Sequence, residues 1–310
     1  MNDSNFAAKL LRERLFGFML YGRARIVRIS ISGGKPDPDI GSLNSRPGSS
    51  TNRSEPLIHH ESTLDHDELV MIGDFGGGTS DFSLLRVGPS LRHSGPTRQV
   101  IGTEGVGIAG DSFDASIIRH LVSPALGAGS ELESSGKRLP VPNWVYFKLE
   151  RWHHLSFLKS GDTLNMLKSV AAQALEPKKI DALLYLIQQD LGYQLHRAVQ
   201  RAKITLSSGE RTRLHFSEGD TEIDQELTRA DFESWIEEEL RGIQDHVDQL
   251  LFKTRTRPAD VDVVFLTGGS SFVPAVRRIF ESRFGCQKIR TGGEFTSVAR
   301  GLALRAAELR

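Results

Sequence analysis

The stretch GDFGGGTSDF, Gly73–Phe82, places three consecutive glycines between two aspartates and between two apolar segments. We predict that Leu69 to Ile72 and Phe82 to Val87 form two strands of a hairpin, with the glycines as their connection. Glycine lets backbone N–H groups approach a ligand without Cβ obstruction, and successive N–H groups in such a turn suit phosphate oxygens. From the loop alone, two interpretations stay open: a phosphate-binding turn, or a hairpin turn that merely needs glycine.

The residues around the glycines add chemistry to the loop. Asp74 and Asp81 are hard oxygen groups of the kind that hold Mg²⁺, often through its waters. Thr79 supplies a hydroxyl between them. These groups favour the phosphate interpretation.

A second glycine loop, LTGGSSFVP at Leu266–Pro274, follows an apolar strand predicted over Val261 to Leu266. Its serines can cap a helix, and Pro274 suits a first helical turn. Ligands of α/β sheets bind at the carboxyl ends of strands, where this loop lies. Neither glycine loop has the pattern of the lysine-containing phosphate loop or of the dinucleotide fingerprint, so a nucleotide site here belongs to another class.

The composition is that of an ordinary globular protein. The chain has 310 residues, of which 38% are hydrophobic and 25% charged, with 39 basic and 39 acidic residues. The absence of a basic excess argues against nucleic acid as a partner, and no apolar run reaches the roughly 20 residues that would span a membrane. A single cysteine, Cys286, excludes an intramolecular disulfide framework and favours a reducing, cytoplasmic compartment. We expect Cys286 to fill core space.

The first 60 residues differ from the rest. Residues 1–31 begin with apolar side chains at near-helical spacing, interpreted as an amphipathic segment, with a transit peptide as the alternative. Residues 32–60 are rich in Ser, Gly, Pro and Asn and are predicted to be a flexible linker. The histidines His59, His60 and His66 favour a solvated loop over a metal site.

Strands and helices alternate from about residue 60 onward, which predicts an α/β fold. Beyond the strands above, we predict a strand over Arg98 to Ile101 and a hairpin over Arg213–Phe216 and Glu222–Leu227. Helices are predicted over segments with helical periodicity, namely Phe113–Leu121, Leu164–Leu206 with a break near Pro177, Arg229–Phe252 with Thr228 as N-cap, Val273–Phe284 and Glu294–Leu309.

Five segments together resemble the 70-kDa heat-shock chaperones of the actin-like ATPase superfamily. GDFGGGTSDFSLL is similar to the second phosphate motif of that family, and VVFLTGGSSFVPAVRRIF resembles its adenosine motif. The segments GIAGDSFD, RAKITLSS and ELTRADFE lie between them in the family's order and with similar spacing. The likeness extends to the YegD-like chaperone-related group, which shares the EPKK helix at Glu176–Lys179.

The resemblance implies a fold, a ligand and a set of roles. The fold is an actin-like ATPase (ribonuclease H-like) lobe, with a core of residues 61–108 and 237–310 and an inserted α+β subdomain of residues 109–236. The ligand is ATP or ADP with Mg²⁺, and the further partners are co-chaperones and client proteins. The implied phosphate and catalytic residues are Asp74, Gly76, Gly77, Gly78, Thr79 and Asp81, with Asp74 and Asp81 as the Mg²⁺ ligands; the implied nucleoside contacts are Gly110, Lys203, Ser207, Gly268, Gly269 and Ser270.

The chain also departs from the family pattern. We find no Asp-x-Gly-Thr-Thr phosphate loop in residues 1–59, so we expect only the second lobe, with a first-lobe chain as a possible partner and doubtful hydrolysis in isolation. Ile204 and Phe272 stand where the family has arginines beside the adenosine. The alternatives are a non-catalytic interaction protein that keeps only the fold and, less favoured, a sugar kinase or cell-shape filament protein of the same superfamily.

Overall fold

The computed structural model of the chain describes residues 64–92, 98–219 and 221–291. Their centre is a mixed five-stranded sheet in the order β3-β2-β1-β8-β9. Strands β1, β2 and β3 form an antiparallel meander, whereas β1, β8 and β9 run parallel. The sheet strands are β1 (Glu68–Phe75), β2 (Ser80–Val87), β3 (Arg98–Val106), β8 (Val263–Thr267) and β9 (Ile289–Thr291).

The chain between β3 and β8 holds most of the helices and two separate hairpins. The hairpin strands are β4 (Glu131–Ser134) with β5 (Lys137–Pro140), and β6 (Arg211–Glu218) with β7 (Thr221–Thr228). The α-helices of the described chain are α1 (Pro89–Arg92), α2 (Gly110–Ile117), α3 (Ser123–Ala125), α4 (Trp144–Leu149), α5 (Gly161–Gln173), α6 (Pro177–Gln188), α7 (Gly192–Ser208), α8 (Arg229–Trp235), α9 (Glu237–Thr254) and α10 (Pro274–Phe284). A π-helical turn, Ile118–Val122, continues α2, and 3₁₀ segments cover Trp152–Lys159, Pro258–Asp260, Gly269–Phe272 and Cys286–Lys288.

Both faces of the central sheet are apolar, as the near-continuous hydrophobic strands require. On one face the rings of Phe75, Phe82 and Phe280 meet with centroids 5.9 to 6.2 Å apart. Helix α10 brings Phe280 to this cluster, while α9 packs against β3 and β2. A second buried group lies on the other face, where Val70 and Val263 belong to it. This core fixes the ends of β1, β2 and β8 relative to one another.

The α/β fold class is confirmed, and the mixed sheet with its many helices fits the actin-like ATPase fold. The hairpins around Gly76–Gly78 and around Gly219 are present, and Thr228 caps α8 by accepting a hydrogen bond from the Asp231 N–H. The predicted helix over Leu164–Leu206 is divided at Pro177 and again before Gly192. The predicted helix over Arg229–Phe252 is divided at Ile236.

Two predictions on single positions have different outcomes. Cys286 is exposed, so the expectation that it fills core space is wrong. Its 3₁₀ turn follows Gly285, a surface corner with φ of 90°, and turns the side chain outward. The predicted segments 1–31 and 32–60, His59 and His60, and the helix over Glu294–Leu309 lie outside the described residues. Within the described chain, no helix combines the length and apolar character needed to cross a membrane.

Candidate functional site

Two aspartates face each other where β1 and β2 enter the glycine loop. Asp74 and Asp81 are direct partners in the antiparallel ladder, and Asp74 also pairs with Thr267 in the parallel ladder to β8. Directly opposed residues of an antiparallel pair have Cβ atoms about 5 Å apart on one face of the sheet. The fold therefore places two carboxylates and one hydroxyl side by side at the same end of three neighbouring strands.

Burial and mutual repulsion disfavour negative charge at this pair. The pKa of Asp74 is raised, first because burial desolvates its carboxylate and second because Asp81 is close. Burial also raises the pKa of Asp81, and a hydrogen bond donated by the Thr79 hydroxyl over 3.1 Å opposes the shift. A divalent cation binding between the two carboxylates would relieve both costs, so the donor set fits Mg²⁺.

The glycine loop is a tight four-residue connection whose backbone is open to solvent. The Gly76 N–H donates to the Thr79 carbonyl over 2.9 Å and closes the turn. Residues Gly76 to Thr79 are exposed. Among the described residues, the N–H groups of Gly77 and Gly78 donate no hydrogen bond. Two adjacent backbone donors at a strand end are the arrangement that binds phosphate oxygens.

The start of α2 holds the glycine loop from one side. The Asp111 N–H donates to the Gly77 carbonyl over 2.7 Å, and the Gly110 N–H donates to the Gly76 carbonyl over 3.4 Å. A Cβ on Gly77 would lie 3.3 Å from the Asp111 carboxylate. A methyl group at position 77 would therefore press on the exposed Asp111 side chain, which would have to move by a few tenths of an ångström.

The second glycine loop approaches the first across the end of β1. Gly268 has φ of 85°, and a Cβ built there would lie 2.1 Å from the Phe75 carbonyl oxygen. The Ser271 N–H and hydroxyl both bond to the Gly268 carbonyl, which fixes the turn that leads into α10. Gly269 is exposed, and Ser270 is buried beside Gly110.

One point in the structure joins both loops to the inserted helix α7. A Cβ on Gly110 would lie 3.0 Å from the Ser270 hydroxyl oxygen, 3.4 Å from Lys203 Nζ and 3.6 Å from the Gly76 carbonyl oxygen. Lys203 comes from α7 and donates to the Gly110 carbonyl over 3.0 Å. Four of the predicted site residues therefore meet at the first residue of α2.

The remaining predicted residue, Ser207, lies one turn beyond Lys203 on α7. Its hydroxyl donates back to the Lys203 carbonyl over 3.4 Å. The helix thus presents Lys203 to the loops, while the Ser207 hydroxyl bonds within α7. Ile204, beside Lys203, is 67% exposed, and Phe272, beyond Ser270, is 42% exposed.

Sequence reasoning missed three residues of this site as functional candidates. Thr267 is recognised as part of the site only in the structure, where it pairs with Asp74 in the parallel ladder. Asp111 and Asp114 lie in the quoted segment GIAGDSFD, where neither was named as a site residue. Asp114 is 3% exposed and forms an ion pair with Lys203. The available signal was the position of Asp114 three and four residues before Ile117 and Ile118, on the apolar face of the predicted helix.

Comparisons with known proteins find similarity to chaperones. The family profile described as Hsp70 protein matches residues 167–310. The chaperone protein DnaK of Thermosipho africanus is 26% identical over 244 residues, which cover 78% of this chain and 32% of that protein. DnaK proteins of Thermus thermophilus and Trieres chinensis are each 26% identical, covering 78% of this chain and 32% and 31% of those proteins respectively. The chain spans about a third of the length of the curated relatives that it matches.

Proposed function

We propose that the chain binds ATP or ADP with Mg²⁺ as part of the ATPase domain of an Hsp70-like chaperone, since it is similar to part of the Hsp70 protein family. The site is the cleft between the loop Gly76–Thr79 and the loop Gly268–Ser270, with α7 on its inserted side. The relatives are chaperones by name, and their chaperone role comes to this chain within the same proposal.

The observation that carries the proposal is the opposed pair Asp74 and Asp81 beside an open glycine turn. Their carboxylates are neighbours across a ladder, and the pKa of each is raised by burial. A hairpin that only needed glycine for its turn would gain nothing from two desolvated acids of like charge. A bound cation would offset the desolvation and the mutual repulsion of the two carboxylates, and a polyphosphate would supply the ligand for the open glycine turn.

Each site residue has a role within the proposal. Gly76, Gly77, Gly78 and Thr79 cradle the β- and γ-phosphates through backbone N–H groups and the threonine hydroxyl. The Mg²⁺ ligands are Asp74 and Asp81, through water or directly, and the cation neutralises phosphate charge when it is bound. The nucleoside contacts are Gly110, Lys203, Ser207, Gly268, Gly269 and Ser270.

The loop Gly76–Thr79 is exposed, so its outer side is open to further groups. We propose that hydrolysis requires further groups on the open side of the loop, from a first-lobe chain or segment. We also propose the domain division given by the resemblance, with residues 61–108 and 237–310 as the lobe core and 109–236 as the insertion. The YegD-like likeness, the cytoplasmic location, and co-chaperones and clients as partners remain predictions.

Titration calorimetry of the full chain with Mg-ATP and Mg-ADP tests the proposal. We expect saturable binding by the wild type and loss of binding in Asp74→Asn, which removes the charge and keeps the shape. Asp245→Asn is the matched control, because Asp245 is an exposed carboxylate within α9 and belongs to neither loop. No heat at millimolar nucleotide would instead support an interaction protein that keeps only the fold.

A further inference from the structure

Lys203 and Asp114 form a buried ion pair directly behind the candidate cleft. Lys203 Nζ lies 2.7 Å from Asp114 Oδ1, with side chains 13% and 4% exposed respectively. Lys203 belongs to α7 and Asp114 to the second turn of α2, so the pair joins two helices that are distant in the sequence.

Burying two charged groups in this position has an unfavourable desolvation free energy. Burial raises the pKa of Asp114, and the charge of Lys203 acts against that rise. Two well-packed apolar side chains at such sites are often at least as stable as a buried ion pair, so stability alone does not account for it. An ammonium group that must stay charged next to a ligand does account for it.

The surroundings of the ammonium place it beside the second glycine loop. Lys203 Nζ donates one of its three hydrogens to the Gly110 carbonyl over 3.0 Å, whereas its 2.7 Å contact with Asp114 Oδ1 is an ion pair outside hydrogen-bond geometry. The same ammonium is 3.4 Å from the position that a Cβ on Gly110 would take, and the Ser270 hydroxyl is 3.0 Å from that position. The ion pair and the hydrogen bond to Gly110 therefore hold the ammonium at the start of α2, where the second glycine loop also lies.

We propose that Asp114 is a positioning residue that holds the Lys203 ammonium charged and aimed into the cleft, where it donates to the bound nucleotide. The inference rests on the proposed nucleotide site and adds to it a residue that does not touch the ligand. The competing explanation is that the pair only fastens α2 to α7.

A double-mutant cycle in nucleotide affinity separates these explanations. The variants are Asp114→Asn, Lys203→Met and the two together, measured with Mg-ADP by calorimetry on the full chain. We expect each single variant to weaken binding about tenfold or more. Without one partner of the buried pair, the other partner either moves or remains as a buried charge with no counterion. If Asp114 acts through Lys203, Asp114→Asn has no further effect in the Lys203→Met background.

A fastening role gives a different pattern. It lowers the free energy of unfolding and leaves the affinity of the folded fraction unchanged, or it weakens binding equally in both backgrounds. The matched control is Glu150→Gln, which breaks the bidentate pair of Arg119 with Glu150, another ion pair of the inserted segment. We expect this control to leave nucleotide affinity within about twofold of the wild type.

A ligand-independent measurement keeps this inference distinct from the proposed function. Amine acylation followed by mass spectrometry reports how accessible Lys203 is in the protein without nucleotide. We expect slow labelling in the wild type and several-fold faster labelling in Asp114→Asn, with Lys179, a surface lysine paired with Glu176, as internal reference. A wild type without nucleotide binding refutes the proposed function, whereas unchanged labelling of Lys203 refutes the positioning role.

An apolar replacement covers the case in which Asp114→Asn does not fold. Asp114→Leu combined with Lys203→Met removes both charges together and leaves no unpaired ion. We expect this variant to fold and to lose at least about tenfold in affinity. Wild-type affinity in this variant would overturn the proposal.

Discussion

Gly268 decides whether the second glycine loop can form at all, and replacing it with alanine tests this directly. The residue has φ of 85° and ψ of 160°, a region that only glycine adopts readily and that costs another residue about 1–3 kcal/mol. Its missing Cβ faces backbone: the Phe75 carbonyl oxygen at 2.1 Å, the carbonyl carbon at 2.7 Å and the nitrogen at 3.0 Å. A methyl group there collides with the end of β1, which cannot rotate away as a side chain would.

The size of the effect follows from these two costs. Overpacking in a well-packed region typically costs a further 1–3 kcal/mol or so, because neighbouring backbone must shift. Together the terms give a loss of about 2–6 kcal/mol in the free energy of unfolding for Gly268→Ala. The shift also separates Asp74 from Thr267, which are ladder partners one residue from the clash, so nucleotide binding should weaken as well.

The neighbouring glycine provides a matched control. A Cβ on Gly269 meets nothing within 4 Å, and its φ lies outside the left-handed range. Urea unfolding of the full chain should therefore place Gly269→Ala within about 1 kcal/mol of the wild type. If Gly268→Ala were as stable as Gly269→Ala, the close approach of the two loops that the structure shows would be wrong.

Three further outcomes are expected. Asp74→Asn should raise resistance to urea at pH 7 in EDTA, because it removes a desolvated charge. Since the pKa of Asp74 is raised in the folded chain, the gain in stability should shrink as the pH falls through that pKa towards 3.8. A gain that stays constant with pH would contradict the raised pKa of Asp74. Gly77→Ala should fold normally but weaken calorimetric nucleotide binding, because its Cβ lies 3.3 Å from the Asp111 carboxylate, whereas Gly161→Ala, with nothing within 4 Å, should bind as the wild type does. Thr228→Ala should lower the free energy of unfolding by about 1 kcal/mol and Thr228→Ser should not, because the hydroxyl caps α8.

Elements with strong local signals were predictable from the sequence. The strands on either side of the first glycine loop were recognisable from apolar runs, and Pro177 and Thr228 marked helix starts that the structure confirms. Strand β3 was underestimated, since the prediction stopped at Ile101 and the strand continues to Val106. Gly102 and Gly105 weaken the local signal there, and only the structure shows that a Cβ on Gly102 would lie 2.5 Å from the Thr254 methyl group.

Pairing and side-chain direction depend on tertiary structure and were less predictable. The opposition of Asp74 to Asp81 follows from the hairpin register, which a four-residue loop leaves open. Cys286 was expected inside because the residue type is usually buried, but a glycine corner turns it to solvent. The pairing of Asp114 with Lys203 joins distant segments, and no local pattern reports such a contact.

Gly110 explains why an insertion between β3 and β8 can belong to the same site as the sheet. It begins α2, the first helix after the meander, and it lies against Gly76 of the first loop, Ser270 of the second and Lys203 of α7. Gly76 and Ser270 lie in loops that follow strands of the sheet, whereas Lys203 forms an ion pair with Asp114, four residues after Gly110. Any rotation of α2 would therefore move the ammonium relative to the first glycine loop. The geometry of the candidate cleft depends on this short helix, because both glycine loops and α7 contact its first turns.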